Sequence, residues 1–220
     1  MFKTRPTKIT LAIAAAFALG FGLYAGEHTL KHENTFLNLE VVEPGVLIRS
    51  AQPGRGDIEK LYREYGVRTI LSLRDWEDPE VIAFAKEQGL DWIILKMKAD
   101  DPPTPEQQAL FFDLVEGRTV DLERYRSVIK RGSRKGGGQA VFGRPVLMHC
   151  QGGSDRAGIM TALFRIEEQG WSIEEAKQEM LSHYHFWFMH PGQFQYLDSY
   201  HPRRLKPQEF DLIQFPKGKP

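Results

Sequence analysis

The sequence predicts an α/β domain in which a central, mostly parallel sheet is flanked by helices. Short apolar runs that suit buried strands alternate along the chain with longer amphipathic segments, an alternation typical of helices packed on a parallel sheet. Glycines follow several amphipathic segments, as expected at helix ends. The 220 residues are 41% hydrophobic and 26% charged, which suits one compact domain with a short appendage and excludes a disordered or multi-span membrane protein.

The strands are predicted from apolar and alternating segments. A strand pair at residues 41–48 is broken by the turn Glu43-Pro44-Gly45, and residues 49–54 after it are predicted to be a loop. The later strands are predicted at residues 67–73, 92–97 and 146–148.

Most of the predicted helices begin at a capping signal. Asp57 and Asp78 suit the N-cap position, and Pro79 suits the first helical position. Capping boxes of the form Ser/Thr-x-x-Glu/Gln begin at Thr104 and Ser172. The helices predicted in this way cover residues 57–65, 79–88, 104–116, 157–169, 172–183 and 192–200.

The charge balance and the cysteine count exclude several classes of protein. The 29 Lys and Arg residues against 29 Asp and Glu residues argue against a nucleic-acid partner. The single cysteine excludes an internal disulfide framework and a zinc site built from several thiolates. The zero net charge is the sum of a basic segment without acids at residues 1–26 and a remainder with a net charge of −3.

Residues 1–26 are predicted to be a signal peptide or a single-span membrane anchor. An uncharged run of 18 residues follows three basic residues, and as a helix it would span about 27 Å, close to the thickness of a bilayer core. The basic flank predicts a cytoplasmic N-terminus and a main domain across the membrane. Leu23 stands where signal cleavage would need a small residue. An anchor in the inner membrane with a periplasmic or other extracytoplasmic domain is therefore favoured over export after cleavage.

The rest of the chain divides into a domain at residues 27–204 and an extended, proline- and lysine-rich tail at 205–220. Residues 118–143 are predicted to be a basic insert, since they carry seven basic residues against two acidic ones and a run of three glycines. A solvated loop is the favoured interpretation of this insert. The alternative is a surface that attracts an anionic substrate or a lipid membrane.

One segment, between the strand at 146–148 and the helix at 157–169, carries residues suited to phosphate chemistry. Its glycine-rich loop can turn backbone N–H groups around an anion, and the positive end of the following helix adds to that field. Arg156 can donate two parallel hydrogen bonds to phosphate oxygens. The same field stabilises the thiolate, the nucleophilic form, of Cys150. The segment reads His149, Cys150, Gln151, Gly152, Gly153, Ser154, Asp155, Arg156.

This Cys-x5-Arg pattern, preceded by a histidine, resembles the signature of the protein tyrosine phosphatase superfamily. Three outer segments, at residues 48–53, 71–74 and 162–172, resemble its bacterial dual-specificity-phosphatase-like branch in the same order along the chain. The resemblance covers residues 41–200. It implies the cysteine-phosphatase fold, a phosphorylated protein or another phosphomonoester as the substrate, and no need for a metal or organic cofactor.

The resemblance also implies residue roles. Cys150 attacks phosphorus to form a phosphocysteine, residues 151–156 bind the phosphate, and His149 orients the loop. An aspartate from an upstream loop protonates the leaving oxygen and then activates water. Asp101 is preferred for this role because its surroundings resemble the acid loop of small dual-specificity enzymes, and Asp100 is the second candidate.

Two features of the loop keep alternatives open. Ala157 stands where the family usually has Ser or Thr, whose hydroxyl assists breakdown of the phosphocysteine, so a pseudophosphatase that binds without turnover is one alternative. Asp155 beside Arg156 resembles the loops of phosphoinositide-directed and bacterial relatives. A phosphoinositide or small-molecule phosphatase is another alternative, which the basic insert and the membrane tether favour and the neutral residues Gln151, Gly153 and Ser154 do not. A rhodanese-like sulfurtransferase also uses a loop cysteine, but the spacing of Arg156 from the cysteine argues against it.

Other polar residues are expected to be structural. His183, Tyr184, His185 and His190 resemble metal ligands, but we expect them to lie among the aromatic residues 186–188 at a helix end, with no carboxylate at ligand spacing and some of them at the active-site mouth. No metal site is predicted. Arg74 follows a strand and is expected to form a structural ion pair.

Overall fold

The computed structural model of the protein describes residues 37–130, 138–183 and 190–203. The predicted leader at 1–26, with its hydrophobic helix, and the predicted tail at 205–220 lie outside these ranges and stay predictions. Within the described ranges, no helix combines the length and the apolar character needed to cross a membrane.

The described chain forms one mixed six-stranded sheet and a separate two-stranded pair. The strands are, in chain order, β1 (Glu40–Glu43), β2 (Leu47–Ser50), β3 (Thr69–Ser72), β4 (Asp91–Leu95), β5 (Thr119–Asp121), β6 (Ile129–Lys130), β7 (Gln139–Val141) and β8 (Val146–His149). The main sheet has the spatial order β1-β2-β8-β3-β4-β6, and β5 pairs with β7. Its four central strands are parallel, and an antiparallel strand closes each edge. The predicted α/β class is confirmed, with a mixed sheet.

The carboxyl ends of β2, β8 and β3 lie side by side at one end of the central strands. β2, β3 and β8 are buried along their whole length, which explains their largely apolar sequences. Leu147 of β8 belongs to the core on one face of the sheet and Met148 to the core on the other. The parallel register places Ser50 and Ser72 opposite His149, the last residue of β8. The segment that begins at Cys150 therefore follows the middle one of three strands whose carboxyl ends lie side by side.

Six α-helices lie in the described ranges, and their caps mostly follow the predictions. They are α1 (Arg55–Glu64), α2 (Pro79–Glu87), α3 (Pro105–Val115), α4 (Asp155–Phe164), α5 (Ile173–Ser182) and α6 (Pro191–Asp198). The capping boxes at Thr104 and Ser172 and the cap at Asp78 are confirmed. Asp57 is not the N-cap as predicted, because Gly54 holds that position and donates its N–H to the Asp57 carboxylate at 2.7 Å.

The helix predicted at 157–169 divides in two. α4 is followed by a π-helical turn, Arg165–Gln169, which ends at Gly170 with a φ of 71°. The side chains of Arg165 and Gln169 both donate to the backbone carbonyl of Val42 in β1, each at 3.0 Å. Because these partners are distant in the sequence, local periodicity does not reveal the change of helix type.

The basic insert is a packed part of the fold, so the prediction of a solvated loop is wrong for its described residues. It contains β5, β6 and β7, and β6 extends the main sheet beside β4. Val120, Tyr125 and Phe142 are buried in the core, and the Tyr125 hydroxyl donates to Asp113 at 2.5 Å. Residues 131–137, with three of the seven basic residues and two of the three glycines of the run, lie outside the described ranges.

Candidate active site

The phosphate loop, defined here as residues 150–154, joins the end of β8 to the first turn of α4. Cys150 is 2% exposed and lies directly after β8. α4 is ten residues long, and its N-terminus supplies a partial positive charge and unpaired N–H groups at the loop. The sequence-predicted nucleophile therefore lies where a strand end and a helix N-terminus meet.

Three donors from outside fix the carbonyl groups of the phosphate loop. The Gln52 N–H donates to the Gln151 carbonyl at 3.1 Å, and the Asn38 side chain donates to the Gly152 carbonyl at 2.8 Å. Arg49 donates to the Gly153 carbonyl at 2.6 Å. In a trans peptide unit the N–H points away from the C=O. With three successive carbonyls turned toward the protein, the N–H groups of the loop face the other way, as an anion-binding nest requires.

Arg49 is a functional residue that sequence reasoning missed. It was predicted to lie in a loop, yet it belongs to β2 and is fully buried. Burial lowers the pKa of its guanidinium, while the charges of Glu179, Glu40 and Cys150 oppose that shift. A second guanidinium, besides that of Arg156, therefore lies near the Cys150 side chain. An arginine directly after the apolar residues Leu47 and Ile48, in a segment that suits a buried strand, is the sequence signal that could have revealed it.

Gly153 is confined more tightly than its neighbours. Its φ is 72°, a conformation that side chains with a Cβ rarely adopt. A Cβ at this position would lie 2.7 Å from the backbone nitrogen of Ala51 and from the carbonyl carbon of Ser50. The loop therefore packs directly on the end of β2, and only glycine fits there.

Arg156 reaches across the same edge of the sheet. Its Nη1 donates to the carbonyl of Leu73, after β3, at 3.1 Å and to that of Met97, after β4, at 3.4 Å. Its Nε is buried and has no hydrogen-bond partner among the described residues. Because an unpaired buried donor costs free energy, this edge of the guanidinium is suited to an added anionic acceptor.

His149 supports the loop from beneath. Its side chain is fully buried, and this burial lowers its pKa to about 4, so the ring is neutral at physiological pH. Nδ1 lies 3.2 Å from the Cys150 carbonyl. We assign the ring proton to Nδ1, because only that tautomer donates a hydrogen bond to the carbonyl. The Trp92 ring and the imidazole pack in a T-shaped arrangement, with the ring centroids 5.8 Å apart.

Glu77 is a buried carboxyl beside the site that the sequence did not reveal. It is 6% exposed, accepts hydrogen bonds from the Ser72 hydroxyl and from Gln52 at 3.1 Å, and lies 4.0 Å from Nε2 of His149. Burial raises its pKa, and Arg74 and Arg156 counteract part of that rise. Its position shortly after β3, at the edge where strand ends meet, is the signal that could have identified it.

The acid loop, residues 98–101, follows β4 and contains both predicted acids in different surroundings. Asp100 Oδ1 lies 2.7 Å from Nδ1 of His190, and its side chain is 78% exposed. Asp101 pairs with Lys98 at 3.2 Å, and its side chain is 59% exposed. Asp155, the first residue of α4, lies 3.5 Å from Nε2 of His190. The structure thus connects Asp100, but not Asp101, to the start of α4 through one imidazole.

Of the histidines near α5, the described His183 and His190 contact different groups. His183 lies 3.2 Å from Glu40, and these two residues form a cluster with Glu179. The prediction that no carboxylate lies at ligand spacing is therefore wrong for His183. Arg165 binds both glutamates, at 2.6 and 2.7 Å, so a guanidinium supplies the positive charge among these carboxylates. Tyr184 and His185 lie outside the described residues.

Ala157 and Arg74, which were also singled out from the sequence, lie in different surroundings. Ala157 is fully buried in the core behind the loop. Arg74 was expected to form a structural ion pair, but in the described part of the chain its guanidinium instead lies 5.9 Å from the ring centroid of the exposed Trp76.

Comparisons with known proteins agree with this geometry. Residues 35–166 match the model of a family described as the tyrosine phosphatase family. The dual specificity protein phosphatase TpbA of Pseudomonas aeruginosa is 26% identical over 175 residues, which cover 77% of this chain and 68% of TpbA.

Solved structures share the fold. The crystal structure of P. aeruginosa TpbA in complex with pTyr aligns with a TM-score of 0.52 at 23% identity, covering 74% of this chain and 84% of that one. The core catalytic domain of the PP-IP phosphatase SIW14 from S. cerevisiae aligns with a TM-score of 0.54 at 21% identity, covering 74% and 85%. Since the family model spans more than half of the chain, the resemblance found in the sequence is confirmed, and the protein belongs to the tyrosine phosphatase family.

Proposed function

We propose that the protein hydrolyses phosphomonoesters through a phosphocysteine intermediate and acts as a tyrosine or dual-specificity protein phosphatase. One observation carries the proposal. Cys150 begins the phosphate loop, whose carbonyls are fixed from outside, and Arg156, in the first turn of α4, is oriented by the carbonyls of Leu73 and Met97. This arrangement supports a role for the Cys150 thiol as the nucleophile at the bottom of an anion-binding cradle.

In the first step the loop N–H groups and Arg156 bind three phosphate oxygens. The Cys150 thiolate donates an electron pair to phosphorus while the bond to the leaving oxygen breaks. An aspartic acid of the acid loop gives its proton to that oxygen. The helix N-terminus and two guanidinium groups stabilise the negative charge, and no metal or organic cofactor takes part in this proposal.

In the second step the aspartate, now ionised, takes a proton from water, and the water oxygen attacks phosphorus. The S–P bond breaks, and its electron pair returns to Cys150 as a thiolate. Ala157 supplies no hydroxyl to assist that departure. We therefore expect hydrolysis of the phosphocysteine to be the slower step.

The exchange Cys150→Ser tests this mechanism. A serine hydroxyl lacks the nucleophilicity of a thiolate, so hydrolysis of an aryl phosphate should fall by at least about 10³-fold. Binding of inorganic phosphate, measured by calorimetry, should persist because the N–H groups and Arg156 remain. Full activity in this variant would overturn the mechanism. Less than one equivalent of phosphate released per wild-type enzyme would favour the pseudophosphatase alternative.

A phosphoinositide or other small phosphate ester is the second candidate substrate class. The basic residues of the insert at 118–143 and the proposed membrane tether favour it, and one structural neighbour is described as a PP-IP phosphatase. Rates measured side by side on phosphopeptides and phosphoinositides distinguish the two classes. A kcat/KM at least tenfold higher on phosphoinositides would contradict a protein substrate.

We also propose that residues 1–26 anchor this domain in the inner membrane with the active site on the extracytoplasmic side. The proposal rests on the basic flank and the uncharged run of the leader. Recovery of the full-length chain in the membrane fraction, with protease access to the domain only from the outer side, would support it. A chain that remains in the cytoplasmic fraction would contradict it.

A further inference from the structure

The two candidate acids differ in what holds them. Asp101 pairs with Lys98, whose side chain is 84% exposed and belongs to the same loop, so the pair fixes the carboxylate only loosely. Asp100 meets His190, which lies 90 positions further along the chain and is only 13% exposed. A contact between distant segments restricts Asp100 more than a local, solvated pair restricts Asp101.

His190 is itself held in place by the start of α6. It is the N-cap residue of that helix, and Pro191 begins the helical turn. The fully buried Gln193 donates to the carbonyl of Ala99 at 2.7 Å. At Gly192 an added Cβ would lie 3.3 Å from the carbonyl oxygen of Asp100, so the helix start packs closely on the acid loop. The start of α6, which carries His190, is therefore fixed relative to the acid loop.

The same imidazole also lies next to the start of α4, which follows the phosphate loop. Its Nε2 lies 3.5 Å from Oδ1 of Asp155, the residue directly before Arg156. One ring therefore spans Asp100 on the acid-loop side and the start of α4 on the phosphate-loop side. With Oδ1 of Asp100 held by Nδ1, the second oxygen, Oδ2, is the one left to carry a transferable proton.

We propose that His190 is a positioning residue that holds Asp100 at the phosphate loop and so makes Asp100, rather than Asp101, the general acid. This inference rests on the proposed function. The Oδ2 proton of Asp100 passes to the leaving oxygen as the P–O bond breaks and the S–P bond forms. The carboxylate that results accepts a hydrogen bond from Nδ1–H of His190, and water returns the proton in the second step.

The dependence of kcat/KM on the acidity of the leaving group distinguishes the loss of a proton donor from the loss of a structural residue. An ester of unsubstituted phenol needs protonation of its leaving oxygen, whereas an ester of an acidic, fluorinated phenol departs as the anion. Wild-type and variant kcat/KM values are measured on both esters. Asp100→Asn should lose about 10²-fold on the phenol ester and much less on the fluorinated ester. Asp101→Asn should keep the leaving-group dependence of the wild type.

His190→Ala should lose about tenfold on the phenol ester, with a much smaller loss on the fluorinated ester. His190→Asn is the conservative variant, because its amide can donate from nearly the position of Nδ1, and it should recover most of the loss. The double variant D100N/H190A should be no slower than Asp100→Asn alone, since His190 acts through Asp100. His183→Ala is the matched histidine control and should keep the wild-type ratio between the two esters.

The assignment of the acid, the role of His190 and the proposed function are each contradicted by a different result. A steep leaving-group dependence in Asp101→Asn but not in Asp100→Asn would overturn the assignment of the acid. Equal losses on both esters in His190→Ala, or no recovery in His190→Asn, would reduce His190 to a structural role and overturn the positioning proposal. A wild-type enzyme that turns over neither ester would instead overturn the proposed function, and this inference with it.

Discussion

The phosphate loop and the acid loop lie near one edge of the sheet, yet the protein holds them in different ways. The phosphate loop rests on fully buried Arg49 and His149, and its Gly153 packs directly on the backbone of β2. The acid loop carries side chains that are 78% and 59% exposed at Asp100 and Asp101.

Because of this difference, we expect changes in the two loops to affect different properties of the protein. Changes in the phosphate loop disturb the packed end of the central strands, so they should affect folding and phosphate binding together. Changes to the exposed acid-loop side chains remove few buried contacts, so they should affect proton transfer while leaving the fold stable. Three predictions test this contrast, in order of decreasing effect on stability.

The largest effect is expected for Gly153→Ala. The added Cβ would meet β2 backbone atoms at 2.7 Å in a left-handed conformation, so the free energy of unfolding should fall by about 3 kcal/mol or more, and phosphate binding should be lost. Urea denaturation measures the first effect and calorimetry the second. Gly152→Ala is the matched control, because its Cβ would meet only the Ser154 hydroxyl, at 3.8 Å. A similar loss of stability in both variants would refute the steric explanation.

The second prediction concerns the pH dependence caused by His149. Burial lowers the pKa of this imidazole from 6.5 to about 4, so between these values the unfolded chain binds a proton that the folded chain does not. This residue therefore stabilises the fold above pH 6.5, and up to about 3 kcal/mol of that contribution is lost as the pH falls toward 4. His149→Gln should remove this part of the pH dependence. Identical slopes for wild type and variant in denaturation experiments from pH 7 to 4 would contradict the assignment.

The smallest effect is expected for Lys98→Ala in the acid loop. The pair with Asp101 is exposed, with side-chain exposures of 84% and 59%, and solvent screens it. The free energy of unfolding should change by less than about 0.5 kcal/mol. Lys96→Ala, another exposed lysine in this segment, serves as the comparison. A loss well above that of Lys96→Ala would mean that the acid loop is anchored through this pair and would weaken the contrast between the loops.

Local signals identified most of the fold. The capping boxes at Thr104 and Ser172 and the turn around Gly45 depend on residues within four positions of one another, and the structure has all three where they were predicted. The segment from Cys150 to Arg156 was also identified from local signals, because it carries the cysteine, the glycines and the arginine within seven residues.

Errors arose where a residue's environment comes from distant segments. Arg49 was assigned to a loop, although its partner is the carbonyl of Gly153, more than 100 positions away. The insert at 118–143 was interpreted from its charge, but the apolar residues that alternate with that charge pack into the core. Glu77 and His190 acquire their positions only when strand ends and a C-terminal helix meet at one edge.

The sequence by itself determined the family, the α/β class and the loop that carries Cys150 and Arg156, because these depend on short patterns of residue type and spacing. The tertiary structure decided which side chains surround that loop. Buried Arg49, His149 and Glu77 at its base, and His190 between Asp100 and Asp155, come from strands and a helix that lie far apart in the chain. The contacts of Arg49, His149 and Glu77 form only when the parallel register aligns the carboxyl ends of β2, β8 and β3.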